Sequence, residues 1–351
     1  MALHLHRAER TDQLADGLAA LLSEPLDDPF VEELVIVPAK GVERWLSQRL
    51  SHLLGRGADG NSDGVCAGVA FRNPHSLIAG LTGPLTGAAD DDPWAPEAMV
   101  WPLLEVIDAS CTEDWCSTLA THLGHFETGA ERELRQGRRY AVARRLAGLF
   151  AAYARQRPQL LIDWLAGEVG DLDSDLRWQP PLWRALVDRV DADPPHVRHA
   201  EVLARLRESP VEELPPRLSL FGHTRLPSTE IELLEALATH HELHLWLPHP
   251  SNELWTRLAG HTGPVPRRAD LTHREVGHPL LATLGRDLRE LQRSLPAERA
   301  TDEFLGAPGP ETDAGRPDTL LGWLQSDIAA NAVRPAGRVL RPDDDSVQVH
   351  S

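Results

Sequence analysis

The chain has 351 residues, 42% hydrophobic and 25% charged, with a formal net charge of −18. This is a globular composition, long enough for two or three domains at about 100–200 residues each. The acidic total excludes a surface that attracts nucleic acid or anionic membrane as a whole, so any DNA contact must be a local basic groove. No run reaches the roughly 18 apolar residues of a membrane span, and the first twenty residues lack a basic start leading into a continuous apolar stretch, so a cytoplasmic protein without membrane contact is expected.

In chain order, the segment "ALHLHRAER" alternates Leu3 and Leu5 with His4 and His6 and predicts a strand. Leu14, Leu18, Leu21 and Leu22 recur at helical spacing until Pro25. Residues 33–37 form an apolar strand. From Gly41 a helix is expected, with Val42, Trp45, Leu46, Leu50 and Leu53 on the apolar face and Glu43, Arg44, Ser47 and Gln48 on the polar one. A β-α-β-α order implies a parallel, helix-covered sheet.

Surface loops are expected at 55–68 and 82–96, rich in Gly, Asp and Pro. Between about 97 and 210 the patterns are helical: Tyr140, Ala143, Leu146, Phe150 and Tyr153 make one stripe, closed by Pro158, and Leu182, Trp183, Leu186, Val187 and Val190 another. Strands return at 217–223 and 242–250, flanking a helix with Ile231, Leu234 and Leu237 and an N-cap at Ser228. A loop spans 306–318, "TLLGWLQSDIAA" is a helix, and "SVQVHS" begins a strand on which the chain stops, as a fragment would.

Cys66, Cys111 and Cys116 fit no zinc or disulfide framework and are expected as reduced, buried thiols. Lys40 is the sole lysine. The stretch "LVIVPAKGVERWLSQRL" occupies the place of a phosphate loop, but a working one needs GxxxxGK[ST]. Here Lys40 precedes Gly41, and Val42 stands where a hydroxyl would bind Mg²⁺. The strand after the helical block ends in Gly222 and His223 instead of the carboxylates that hold Mg²⁺ and activate water. Lys40, Gly41, Val42, Gly222 and His223 are therefore degenerate nucleotide-site positions. "HHELH" at 240–244 spaces His241 and His244 three apart, one short of HExxH, so ordinary surface histidines and no metal are expected. No GxSxG or GxGxxG occurs, and no catalytic set emerges.

The ordered set "LDDPF" (26–30), "VPAKGVERWL" (37–46), "PPLWRALV" (180–187), "HPLLATLGRDLREL" (278–291), "LLGWLQSDI" (320–328) and "VQVHS" (347–351) resembles the N-terminal portion of the exodeoxyribonuclease V gamma subunit, the RecC family. The resemblance implies an α/β, RecA-like (P-loop NTPase-like) fold of an inactivated superfamily 1 helicase, a parallel sheet with a large all-α insertion. It divides the chain into the first part of domain 1A (1–96), the helical domain 1B (97–215), the remainder of 1A (216–335) and the start of domain 2A (336–351). It implies membership of a RecBCD complex, with RecB-like and RecD-like subunits, double-stranded DNA ends and single-stranded DNA as partners. ATP and Mg²⁺ are used by the partner subunits and by nothing in this chain.

The same resemblance places Lys40, Arg44, Leu149, Arg157 and Arg198 along a DNA channel. Pro38, Arg44, Ala79, Gly148 and Ala151 depart from the family's Chi-reading pattern, whereas Leu149 and Arg157 match it, so channel lining is carried over and Chi reading is not. From the residues alone, Trp45 is expected in the core or else as a stacking platform. Arg44 is open between solvated and phosphate-bound, Arg157 can serve its helix C-terminus, and Arg198 is a salt-bridge former or a phosphate contact. The alternatives to a DNA-channel subunit are a pure protein-interaction scaffold and an active superfamily 1 helicase.

Overall fold

The computed structural model describes residues 3–55, 64–86, 92–263, 265, 267–306, 318–333 and 338–348. These fall into two compact units. One comprises residues 1–77, 209–226 and 234–351, the other 78–208 and 227–233.

The first unit is built on a six-stranded sheet in the order β3-β2-β4-β5-β1-β6, with every described pairing parallel. The strands are β1 (Leu3–Ala8), β2 (Glu33–Ile36), β3 (Val69–Arg72), β4 (Arg217–Phe221), β5 (Glu242–Pro248) and β6 (Thr301–Phe304). Central β4 is buried at every position, as expected of a parallel strand covered on both faces. Helices α1 (Thr11–Leu22) and α2 (Lys40–Ser51) follow β1 and β2. One core joins Leu14, Leu18, Val35, Leu46, Leu50, Phe221 and Trp246. Gly17 of α1 is a close-approach glycine, since a Cβ there would lie 2.9 Å from the Trp246 ring. Helices α12 (Asn252–Arg257), α13 (Pro279–Leu284), α14 (Arg286–Ser294) and α15 (Leu320–Ala329) complete this unit. A small core of Leu254, Leu258 and Leu281 joins three of its segments.

The second unit is helical throughout its described residues. Helix α3 (Pro74–Thr86) leads into it, followed by α4 (Pro96–Ser110), α5 (Ser117–His122), α6 (Gly129–Gln136), α7 (Arg139–Gln156), α8 (Pro158–Leu165), α9 (Gln179–Arg189) and α10 (Pro195–Glu208); α11 (Ser228–Leu237) lends its first residues. The expected stripes form the core through Ala143, Leu146, Phe150, Leu182, Trp183 and Leu186, with Cys111 and Cys116 buried among them. Tyr140 departs from its stripe and is half exposed.

Four local expectations are corrected. The loop expected at 82–96 begins as helix, because α3 runs to Thr86. The Ser228 hydroxyl does not cap α11; it donates to the carbonyls of Arg155 and Gln156 at 3.3 Å. Ser346–Gln348 form no strand, the remainder of "SVQVHS" lying outside the described residues. His241 and His244 are buried, not surface histidines. Most of the loop expected at 306–318 also falls outside the described residues.

Candidate nucleic-acid interface

In an open parallel sheet, ligands bind beyond the carboxyl ends of the strands where neighbouring connections diverge. Here β2 connects outward to β3 while its neighbour β4 connects the other way to β5. The turns after β2 and β4 therefore flank a crevice, and α2 starts at its rim.

Helix α2 has no side-chain cap; its first turn is held by Lys40, whose Nζ donates to both Glu43 carboxylate oxygens at 2.7 and 2.9 Å. Leu46 and Leu50 are buried and Val42 packs beside them. Gly41, Arg44, Trp45 and Gln48 are exposed, at the i, i+3, i+4, i+7 spacing of a single helix face. Arg44 has no hydrogen-bond or ion-pair partner among the described residues, whereas Arg49 on the same helix pairs with Asp16 at 2.7 Å. Arg44, Ser47 and Gln48 line an open groove of about 380 Å³ with Cys66 and Phe71; burial pushes the Cys66 thiol up.

Trp45 corrects the expectation of a core indole. It is 39% exposed, its ring 6.3 Å from that of Phe221. At 100° per residue it lies about 95° from the centre of the Val42–Leu46–Leu50–Leu53 stripe, on the flank of the apolar face.

The five degenerate nucleotide-site positions meet at this end of the sheet. Gly222 sits at φ +77°, the left-handed region open to glycine, and its N–H donates to the Trp246 carbonyl at 2.9 Å. A Cβ on it would stand 3.8 Å from Val42 Cγ1. His223 follows, buried, with neither ring nitrogen hydrogen-bonded; burial alone pulls its pKa down to about 4. The polar groups among these five positions are thus an ion-paired lysine and a neutral imidazole, neither of which can ligate Mg²⁺ as a hydroxyl–carboxylate pair does.

Leu149, Arg157 and Arg198 belong to the helical unit. Leu149 is half-buried against its core. Arg157 ends α7 and precedes Pro158 at the start of α8; its side chain is exposed. Arg198 is mostly buried and pairs with Asp92. Sequence reasoning missed Gln48, Cys66 and Phe71; the signal for the α2 face was the 41-44-45-48 spacing, while the groove needed β3, whose four residues carry no clear period.

Fold and site together describe an open parallel α/β protein in which α2, starting at the rim of the carboxyl-edge crevice, exposes a cation, an indole and an amide on one face. The sequence model of the RecC N-terminal domain matches residues 3–331, and the chain belongs to the RecC family. It is 70% identical over 351 residues to the RecBCD enzyme subunit RecC of Mycolicibacterium smegmatis, covering all of this chain and 30% of that protein. To the same subunit of Mycobacterium tuberculosis it is 68% identical over 355 residues, again covering all of this chain and 31% of the relative. The Escherichia coli subunit is 27% identical over 365 residues, with 93% of this chain and 30% of that protein covered. The chain spans about a third of the length of these relatives. Among the described residues no helix is long and apolar enough to cross a membrane.

Proposed function

We propose that this chain is a noncatalytic DNA-channel and scaffold segment of a RecBCD-type complex acting in double-strand break repair and recombination. The observation that carries the DNA contact is the exposed α2 face, where Arg44, without a partner among the described residues, stands beside the half-exposed indole of Trp45. Such a pair suits a single strand, with a cation for phosphate and an aromatic face for any base. Family membership and the names of the relatives support the complex. In this reading residues 1–96 and 216–335 form an inactivated RecA-like domain 1A, 97–215 its helical insertion 1B, and 336–351 the start of domain 2A. The RecB-like and RecD-like partners supply the ATP and Mg²⁺ chemistry in the cytoplasm, and this chain binds neither cofactor. In the helical unit, Leu149, Arg157 and Arg198 are carried over as DNA contacts by the family resemblance; with Arg198 held by Asp92, Arg157 is the stronger candidate for phosphate.

The test is single-strand affinity across a salt series in the assembled complex. Because Lys40 is already paired with Glu43, Lys40→Ala with Arg44→Ala is expected to act mainly through Arg44 and to flatten the slope of log K against log salt by about 0.7. Trp45→Ala is expected to lose about 1–3 kcal/mol of binding through stacking, with the slope unchanged. If all variants keep wild-type affinity and slope, the pure scaffold reading replaces this one.

A further inference from the structure

Among the described residues, one cluster of metal-ligating side chains forms away from that crevice. It unites His4 on β1 with Glu242 and His244 on β5, whose ligand atoms all lie within 4.8 Å of one another. The register sets His4 directly beside His244, and the two-residue period of a strand puts Glu242 on the same face. Both strands begin here, so the cluster occupies the amino edge of the sheet.

His4 Nε2 and His244 Nε2 each lie 3.4 Å from the same Glu242 oxygen. A tetrahedral zinc with bonds of about 2.0–2.1 Å has ligand–ligand edges of about 3.3–3.4 Å, the spacing of the two edges that meet at Glu242, while the His4–His244 edge is within 4.8 Å. Behind the cluster, His6 Nε2 lies 3.0 Å from His244 Nδ1 and His6 Nδ1 lies 3.2 Å from a Glu303 oxygen. An ionised carboxylate only accepts, so neutral His6 donates from Nδ1 and accepts at Nε2; His244 then donates from Nδ1 and keeps a lone pair on Nε2. That nitrogen is buried without a hydrogen-bond partner, in a side chain only 4% exposed, and it faces a carboxylate oxygen. Two electron-rich atoms so placed repel unless a cation sits between them. Stacking of the His4, His6, His244 and Trp246 rings accounts for the row but not for this pairing.

We propose that His4, Glu242 and His244 form a zinc-class divalent-metal site at the amino edge of the sheet, oriented from behind by His6 and Glu303 and completed by water. Imidazole and carboxylate donors suit zinc better than magnesium or calcium, and a carboxylate–imidazole relay is the arrangement that fixes the tautomer of a ligating histidine. The His4 and His244 rings are 12° from parallel, and near-parallel rings cannot aim two lone pairs at one atom. His4, 29% exposed, is the ligand that turns about its outer torsion. His241 takes no part: its Nε2 accepts from the Val211 N–H at 3.1 Å and its Nδ1 meets the Pro215 carbonyl at 2.9 Å.

The protein, stripped with chelator, is titrated with zinc by calorimetry and with Co²⁺ in visible absorption. One ion per chain with a micromolar or tighter dissociation constant, a four-coordinate Co²⁺ spectrum and a metal-raised thermal midpoint are expected. His4→Gln and Glu242→Gln, at positions open enough to keep the fold, should each weaken binding about tenfold or more and remove the thermal shift; Glu303→Gln should weaken it by about 10–100-fold. His240→Gln, adjacent in sequence but outside the cluster, should bind as wild type. Absence of stoichiometric zinc binding in the wild type overturns the site, as does unchanged affinity in both ligand variants.

Discussion

His223 is an imidazole kept where it makes no hydrogen bond, at the end of a central strand. Unfolded, it titrates near 6.5; folded, burial lowers it to about 4. A histidine shifted down contributes its full stability above the unfolded value and loses it as pH falls from 6.5 toward 4, where only the unfolded chain takes up the proton. The shift corresponds to about 3 kcal/mol. His223→Leu fills similar space without the titration, so between pH 7 and 4.5 its urea-unfolding free energy should fall by about 2 kcal/mol less than that of the wild type. At the same scale, burial raises Cys111 and lifts Cys116 to about 11. Both should resist thiol reagents at pH 8 in the folded protein and react after denaturation, which labelling with mass detection reads directly.

At the scale of elements, the segment "HPLLATLGRDLREL" shows how a family signature can be purely structural. Helix α13 starts on His278, whose Nδ1 accepts from the Leu280 N–H at 3.3 Å, and ends at Gly285, where a Cβ would lie 2.5 Å from the Leu281 carbonyl. The Leu281 carbonyl accepts from the Gly285 N–H at 3.1 Å, and it and the Ala282 carbonyl can each take a further donor. Arg289 of α14 reaches back to donate to Leu281 and Ala282 and also to Thr272 Oγ1. Upstream, the Asn331 side-chain oxygen accepts from the N–H groups of Gly277 and His278 at 3.0 and 3.3 Å, so closely that a Cβ on Gly277 would stand 2.1 Å from the Asn331 carbonyl oxygen. Gly277→Ala should destabilise by about 1–3 kcal/mol through this clash. Arg289→Leu should cost a similar amount, about 1–3 kcal/mol, by removing the charged donor that Leu281, Ala282 and Thr272 share. Chemical denaturation of each variant measures both, and neither should alter the DNA affinity of the assembled complex.

For the whole molecule, a net charge of −18 means that, under the function proposed above, a strand would be held only where the acidic field is locally interrupted. The exposed α2 face would be such a place, because among the described residues no carboxylate neutralises Arg44 as Glu43 does Lys40 or Asp16 does Arg49. Acid acts on the molecule through its interior instead. His249, packed edge-on against Trp255, is brought down to about 4 by burial and then by Arg7, so it adds to His223. His244, taken to about 3 chiefly by burial, is a third such group, and the three leave the unfolded chain binding between two and three more protons than the folded one between pH 6 and 5. Stability should therefore drop by about 3–4 kcal/mol over that unit, as paired denaturation curves would record.

Much of the architecture was legible from local pattern. Apolar runs at 33–37 and 217–223, helical stripes from 97 to 210 and the β-α-β-α start were enough for a parallel α/β protein with a helical block, since periods of 2 and 3.6 are written in neighbouring residues. Strand β6, "TDEF", was not legible: at the sheet edge it pairs only with β1 and stays largely exposed, so burial imposes no alternation on it. Trp45 was misplaced because a flank residue satisfies the apolar period while its ring stands partly in solvent. Local pattern alone was sufficient for most of the helices and for the central strands, and for the absence of a GxxxxGK[ST] motif. Three-dimensional packing was needed to show that β2 and β4 share a crevice, that Arg44 has no partner among the described residues, and that His4 meets His244 across strands remote in sequence. Those outcomes depend on strand order and register, which are set by packing between distant segments and leave no period along the chain.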